Sequence, residues 1–349
     1  MKTWLALLTV LAGLVWTEAS QAACYIVYIH GKGADQSPGV MTDAQRRGYW
    51  SPDGAESSND FVRYSRGGCT TLVAGYNGAA AFWDDDAAKR VADQINAFIT
   101  TYNIGDRELR LVGHSMGGLV LRWILNNGVA GSAYYNYHSA NYARIVQKTD
   151  YAITVATPHL GSEAADAVYG TSDTLCGNFV GWIAGIIGER NNATMYLRYL
   201  NLEYASARGS WFQDAGRTRT IYTMATRTWN QGSSISDIGL NAVWDCLGNV
   251  GHWYLFTSDT PGDGLVTEKS GMLRYERSGS NTDGGYWGYF SWSKDEWVGG
   301  SRVDWVRISH NHNHVRYDDT YASYSNQLKG VTGSSWPGSY IGSNGLYLQ

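Results

Sequence analysis

Residues 108–128, ELRLVGHSMGGLVLRWILNNG, decide the fold of this chain. The first part is a short apolar run typical of a buried strand, with Leu109, Leu111 and Val112 as its core residues. The second part places apolar side chains at helical spacing, and Asn127 with Gly128 marks the end of that helix. The sequence therefore predicts a strand, a sharp turn and a helix in close succession.

The predicted turn has the pattern Gly-x-Ser-x-Gly, filled by Gly113, Ser115 and Gly117. In such an elbow the serine occupies a strained turn, and side chains at the flanking positions would collide with nearby backbone. The turn holds the hydroxyl above the sheet edge and directs a helix N-terminus at a developing oxyanion. The bare pattern is weak evidence in a glycine-rich chain, but the strand before it and the helix after it make it specific. Ser115 is the predicted nucleophile, and an accidental turn is the alternative.

Strand and helix patterns alternate along much of the chain. Residues 85–102 carry apolar side chains at helical spacing behind an acidic run that suits a helix N-terminus. Continuous apolar runs that end in loops predict buried strands, and these runs are CYIVYIHGKG, TTLVAGYNG, YAITVATPHLGS, TIYTMATRT and HWYLFTS. This alternation predicts an α/β protein with a mostly parallel central sheet flanked by helices.

Residues 1–23 predict a secretory signal peptide. Lys2 precedes an apolar run that ends at Trp16, and this run is shorter than the roughly 20 residues of a membrane-spanning helix. Small residues then suit cleavage near Ala22 or Ala23. The expected localisation is therefore secreted, either extracellular or periplasmic, with a membrane anchor as the alternative.

The cysteine count agrees with export. An even number of cysteines in an exported chain predicts two disulfide bonds, with four free thiols as the alternative. The cysteines are Cys24, Cys69, Cys176 and Cys246.

Residues 24–349 predict a single α/β domain with three departures from plain alternation. Residues 162–215 are glycine-rich, apolar and helical in places, which fits either a mobile lid or a packed insertion. Residues 280–306 form an aromatic-rich insert, and residues 320–349 form a Gly, Ser and Tyr-rich tail. The net charge of −4 gives no broad basic surface, so no nucleic-acid partner is expected.

Three islands of this sequence resemble the bacterial secreted triacylglycerol lipases. They are His-Gly at 30–31, Gly-His-Ser-Met-Gly-Gly at 113–118 and Thr-Pro-His-Leu-Gly-Ser at 157–162. The resemblance implies an α/β-hydrolase fold with a lid-like helical insertion. It also implies a serine carboxylic-ester hydrolase, a lipase or esterase, that acts on an ester or lipid substrate. The residues that would donate backbone N–H groups to the oxyanion are Lys32 and Met116.

The resemblance also indicates an acid and a base, because α/β-hydrolases order their triad as nucleophile, acid and histidine. Asp263, in Gly-Asp-Gly-Leu-Val, matches the lipases' catalytic aspartate, and Asp259 on the same loop is the alternate. Three histidines alternate within residues 309–315. The lipases' Asn-His-aliphatic island matches His314 best, so His314 is the preferred base and His312 the alternate.

No metal ligand is assigned from the sequence. The alternating histidines lack the nearby cysteine or paired carboxylate that would complete a ligand set. Several of the lipases carry a calcium-binding Asp two residues after the catalytic His, where this chain has Arg316. The nearest acids are Asp318 and Asp319. A calcium site is therefore doubtful, and no cofactor is expected to be required.

Two other functions are consistent with the same sequence. One is a different serine hydrolase on this scaffold, such as a thioesterase, an amidase or a polyester depolymerase, because fold and triad do not choose among these. The other is a non-catalytic secreted protein whose aromatic surface binds carbohydrate. A transient contact with a lipid interface and the need for a folding helper both stay open.

Overall fold

The structure is a computed structural model, and the residues that it describes are 25–32, 49–50, 70–128, 139–159, 161–168, 192–193, 197, 220–226, 265–266, 268–271, 286–287, 290–291, 296–298, 301–308 and 312. Several predicted features lie outside these residues. They are the signal peptide at 1–23, all four cysteines, the HWYLFTS strand, most of the insertion at 162–215 and the tail at 320–349.

The described elements follow the predicted alternation of strands and helices. The strands are β1 Tyr25–Ile29, β2 Thr70–Ala74, β3 Leu109–His114, β4 Thr149–Val155, β5 Thr220–Thr226, β6 Tyr286–Trp287, β7 Phe290–Ser291, β8 Glu296–Val298 and β9 Ser301–Ile308. The helices are α1 Arg90–Tyr102, α2 Met116–Asn127, α3 Ser139–Lys148, α4 Glu163–Val168 and α5 Glu268–Gly271.

Seven of the described strands form one sheet in the order β2-β1-β3-β4-β5-β9-β8. Every neighbouring pair from β2 to β9 is parallel, and β8 pairs antiparallel with β9 at the edge. Because parallel strands end at the same edge, the segments that follow β1, β3 and β4 meet above one side of the sheet. The α/β-hydrolase fold class expected from the sequence is confirmed.

The central strands are buried on both faces, as their unbroken apolar runs predict. In β1 the side chains from Ile26 to Ile29 are at most 1 % exposed. Helix α2 directly follows β3, and each of its residues is buried, including Arg122, Asn126 and Asn127. A helix that is buried all round is fixed by packing on every side, so its N-terminus is held rigidly beneath the strand ends.

Helix α1 is the helix predicted over residues 85–102, with one difference in its first turn. Asp85–Lys89 forms a π-helical turn before the α-helix begins at Arg90. The helix buries the apolar stripe of Val91, Ile95 and Ile99 against the core. It ends at Asn103, whose left-handed backbone (φ 48°) is typical of a helix C-terminus.

The predicted aromatic-rich insert at 280–306 contributes in part to the central sheet. Its last residues, from 301 onward, lie in β9, which pairs with β5 over residues 221–226. Earlier in the insert, Glu296–Val298 form β8, which pairs with β9. In the part of the chain that the structure describes, no helix is long and apolar enough to cross a membrane.

Candidate active site

Ser115 lies at the sharp turn between β3 and α2, as the elbow pattern predicts. Its backbone adopts φ 53° and ψ −130°, in the positive-φ range that residues other than glycine seldom occupy. Two backbone hydrogen bonds hold this conformation. The N–H of Ser115 donates to the carbonyl oxygen of Val155 at 2.8 Å, and the N–H of Gly118 donates to the carbonyl oxygen of Ser115 at 3.0 Å. Strand β4 and the first turn of α2 thus fix the backbone of Ser115.

The glycines of the elbow allow other segments to approach closely. A Cβ at Gly117 would overlap the carbonyl oxygens of Ile29 and His30, at the end of β1. A Cβ at Gly118 would overlap the side chain of Thr157, which follows β4. The steric requirement predicted for this pattern is therefore set by the two strands on either side of β3.

The structure brings His312 to the nucleophile. Nε2 of His312 lies 2.9 Å from Oγ of Ser115, and both side chains are buried, at 3 % and 9 % exposure. At this distance an imidazole can accept the hydroxyl proton directly. The alternate base, His312, is thus within hydrogen-bond distance of Ser115, while the preferred base, His314, lies outside the described residues.

His114, which fills a variable position of the Gly-x-Ser-x-Gly pattern, also contacts His312. Its Nε2 lies 2.7 Å from the carbonyl oxygen of His312 and its Nδ1 lies 2.5 Å from the hydroxyl of Tyr49. The N–H of Gly31 donates to the same hydroxyl at 2.9 Å. The sequence analysis missed Tyr49 and His114, because neither an aperiodic loop nor the variable position of the elbow carries a signal of its own.

The two predicted oxyanion donors belong to two different segments of the chain, both of which adjoin Ser115. Met116 is the first residue of α2, where backbone N–H groups have no partner within the helix. Lys32 follows Gly31, at which a Cβ would come within 2.8 Å of Cβ of Ser115. The segment after β1 therefore runs directly beside the nucleophile. Burial lowers the pKa of the Lys32 side chain to about 8.

The predicted acid, Asp263, and its alternate, Asp259, lie outside the described residues, but the chain just after Asp263 is described. The hydroxyl of Ser162 donates to the carbonyl oxygen of Leu265 at 2.5 Å. In return, the hydroxyl of Ser270 donates to the carbonyl oxygen of Gly161 at 2.7 Å. These reciprocal bonds tie the Thr-Pro-His-Leu-Gly-Ser island to the segment that would carry the acid.

Two further histidines near the site have structural surroundings. The ring of His30 stacks on that of Tyr76 with centroids 4.3 Å apart, and its Nε2 accepts the backbone N–H of Tyr76 at 3.3 Å. His159 is completely buried, with Nε2 2.7 Å from the hydroxyl of Thr154. Burial first, and then the charge of Arg122, holds the pKa of His159 well below its usual value. His159 is therefore neutral at physiological pH.

Potential metal ligands do not cluster in the described part of the chain. Among those residues, no group of three or more His, Cys, Asp or Glu side chains is placed to hold an ion. The described site instead combines a hydroxyl, an imidazole and a helix N-terminus, which is the equipment of acyl transfer.

Comparison with known proteins agrees with this arrangement. Residues 78–173, which include the elbow, match the family described as "Putative serine esterase (DUF676)". The lipase BlEst2 of Bacillus licheniformis in its propeptide form has a similar structure, with a TM-score of 0.52 at 16% identity. That match covers 85% of this chain and 48% of the other, so this chain spans about half the length of the propeptide form.

Two other solved structures show the same likeness at a lower score. EstA from Clostridium botulinum has a TM-score of 0.49 at 16% identity, over 84% of this chain and 83% of that one. Staphylococcus hyicus lipase has a TM-score of 0.48 at 14% identity, over 84% of this chain and 88% of that one.

The sheet order, the elbow and the likeness to BlEst2 show that this protein has the α/β-hydrolase fold. Within that fold, the residues around the elbow are similar to that family of serine esterases. The expected fold is confirmed.

Proposed function

We propose that the protein is a secreted lipase or esterase in which Ser115 and His312 carry out acyl transfer to water. The observation that carries this proposal is the 2.9 Å contact between Nε2 of His312 and Oγ of Ser115 within a buried elbow. A neutral serine hydroxyl is a weak nucleophile and needs a base at this distance. Residues 1–23, with their signal-peptide pattern, support export.

Acyl transfer then proceeds in two halves. Oγ of Ser115 forms a bond to the ester carbonyl carbon while its proton moves to Nε2 of His312. The backbone N–H groups of Lys32 and Met116 stabilise the oxyanion, and the proton on His312 goes to the leaving alcohol as the C–O bond breaks. Water repeats these steps on the acyl-enzyme, which releases the carboxylic acid and restores Ser115. This chemistry uses no cofactor.

The acid of the proposed triad is Asp263, with Asp259 as the alternate. Support comes from the bond between Ser162 and Leu265, because Leu265 is only two residues beyond Asp263. Ser162 belongs to the segment after β4, which borders the elbow at Thr157. A carboxylate held in this neighbourhood would orient the imidazole and stabilise its protonated form.

The assignment of the base is tested by separate substitution of the two histidines. We expect His312→Ala to lower kcat for a p-nitrophenyl ester by about 10⁴-fold, as loss of a triad member does. His314→Ala serves as the matched control and should keep most of the activity. Ser115→Ala should abolish both hydrolysis and labelling by a fluorophosphonate. The opposite ranking of the two histidine variants would transfer the role of base to His314.

The same assay distinguishes the substrate classes. An ester series of increasing chain length, with the matching thioesters and amides, separates a lipase or esterase from other serine hydrolases. If residues 162–215 form a lid, turnover should rise when emulsified long-chain esters replace monomeric ones. Equal turnover on both would assign a plain esterase. Absence of hydrolysis and of labelling in the wild-type protein would contradict the proposed function as a whole.

A further inference from the structure

A continuous set of hydrogen bonds runs through Tyr49 and His114. It joins the segment after β1, called here the oxyanion segment because it carries Lys32, to His312, called here the base segment. The N–H of Gly31 donates to the hydroxyl of Tyr49, and that hydroxyl meets Nδ1 of His114. The other ring nitrogen of His114 meets the carbonyl oxygen of His312. His312 in turn contacts Ser115. The chain of contacts thus begins beside Lys32 and ends at the nucleophile.

Only one neutral form of His114 satisfies all of these contacts. The carbonyl oxygen of His312 can only accept, so Nε2 of His114 carries the proton and donates it. Nδ1 is then an acceptor, and the hydroxyl of Tyr49 donates to it. The oxygen of that hydroxyl keeps a lone pair for the N–H of Gly31. Tyr49 therefore selects the tautomer in which His114 can hold the base segment.

We propose that His114 is a positioning residue for the base: it fixes the main chain of His312, and Tyr49 couples that position to the oxyanion segment after β1. The proposal rests on the proposed function, because it assigns His312 as the base. His114 itself is not a catalytic residue, since its nitrogens face Tyr49 and the carbonyl oxygen of His312.

Burial explains why this contact is effective. His114 is 1 % exposed, and its ring packs beside that of His312 with centroids 4.8 Å apart. It also stands at the end of β3, so it moves with the strand that carries the nucleophile. The hydrogen bond to this ring therefore fixes the carbonyl group of His312 relative to β3, the strand that leads into Ser115. Because a displacement of about 1 Å can cost a hundredfold in rate, loss of this hydrogen bond should lower kcat.

Two substitutions at His114 separate positioning from packing. In His114→Gln the side-chain amide nitrogen reaches the place of Nε2, so a donor to the carbonyl oxygen of His312 is kept. In His114→Asn the amide nitrogen reaches only the place of Nδ1, so that donor is lost. We expect His114→Asn to lower kcat by about 30-fold with KM changed less than about threefold, and His114→Gln to recover most of the loss. Activities are compared per folded molecule, measured by circular dichroism.

Tyr49→Phe tests the same inference when the histidine variants fold poorly. It removes the hydroxyl while keeping the ring, so the bonds to His114 and to Gly31 are both lost, and we expect kcat to fall by about fivefold. Tyr25→Phe is the matched control: its hydroxyl bonds to the carbonyl oxygen of Tyr102, at the opposite end of β1. Its kcat should stay at the wild-type value.

Two results would overturn the inference. One is a Gln and an Asn variant at position 114 with equal kcat per folded molecule. The other is a Tyr49→Phe variant that matches Tyr25→Phe. Both leave wild-type hydrolysis and its loss in Ser115→Ala intact, so they differ from failure of the proposed function, in which the wild-type protein itself neither hydrolyses esters nor reacts with the phosphonate.

Discussion

Ser115 in the elbow and His312 are brought together by two different kinds of structure. The elbow is built from consecutive residues, in which strand, turn and helix fix Ser115 within a few positions of the chain. His312 meets Ser115 from 197 residues further along the chain. Contacts such as the one with the ring of His114 hold it in place. The position of the proposed nucleophile is therefore specified locally, and that of the proposed base depends on long-range contacts.

The loop after β4 contacts both the elbow and the segment of Leu265 and Ser270. The carbonyl oxygen of Val155, the last residue of β4, accepts the N–H of Ser115, and Thr157 in the loop borders Gly118. At its end, Gly161 and Ser162 bond to the segment of Leu265 and Ser270. The Thr-Pro-His-Leu-Gly-Ser island thus joins the segment that follows the proposed acid, Asp263, to the elbow.

The largest effect is expected at Gly117, where the elbow leaves no space for a side chain. In Gly117→Ala the new methyl group would overlap backbone carbonyls of Ile29 and His30, which cannot rotate away as a side chain could. We expect the free energy of unfolding to fall by about 3 kcal/mol or more, and ester hydrolysis to fall with it. Chemical denaturation followed by circular dichroism measures the loss of stability.

Gly105→Ala is the matched control for that substitution. A Cβ at Gly105 meets only the flexible carboxylate end of Glu108. Its cost should stay below about 1 kcal/mol, the usual range for substitutions away from the core. Equal losses in the two alanine variants would show that the elbow tolerates a side chain and that its local geometry is less restrictive than the structure indicates.

An intermediate effect is expected from loss of the long-range hydrogen bonds that Ser162 and Ser270 make. Ser162→Ala and Ser270→Ala each leave a main-chain carbonyl without its hydroxyl partner, at a cost of about 1–2 kcal/mol in stability. Because the acid segment is then held less firmly, kcat should fall by about tenfold with little change in KM. The double variant should cost less than the sum of the two, since both bonds join the same segments.

Thr100→Val is a suitable control for the serine variants, because its hydroxyl bonds to the carbonyl oxygen of Asn96 on the exposed side of α1. It should leave kcat unchanged. If Ser162→Ala and Ser270→Ala lowered stability but left kcat at the wild-type value, the bonds would serve folding alone and the acid would be positioned by other contacts.

The smallest effect is expected in the pH dependence of stability. His159 has a pKa well below its usual value in the folded protein, because it is buried near Arg122. Between that low pKa and about 6.5 the unfolded chain binds the proton more readily, so stability is complete above about pH 6.5 and declines as the pH falls below it. His159→Gln, which can keep a nitrogen near Thr154, should remove about 1 kcal/mol of the loss between pH 7 and 5.5. Unfolding curves at both pH values measure the difference, and an identical pH dependence in the two proteins would contradict the buried, neutral histidine.

The same division explains how far sequence reasoning reached. The buried strands, helix α1 and the elbow were predicted because their signals are local: apolar runs, helical spacing and glycines at fixed offsets. The choice between His312 and His314 was not decided in this way. Residues two apart face the same side of an extended segment, so only the path of the loop distinguishes them. At His312 the main-chain carbonyl oxygen is bonded to His114, and no pattern within residues 309–315 predicts such a contact.

The backbone of Ser115 also determines which alcohol can be the nucleophile. Serine and threonine offer the same functional group, but at φ 53° a branched Cβ would crowd the adjacent peptide units. The selection of a primary alcohol is thus made by the main chain before any substrate arrives. The backbone conformation of this turn therefore favours an unbranched side chain at position 115.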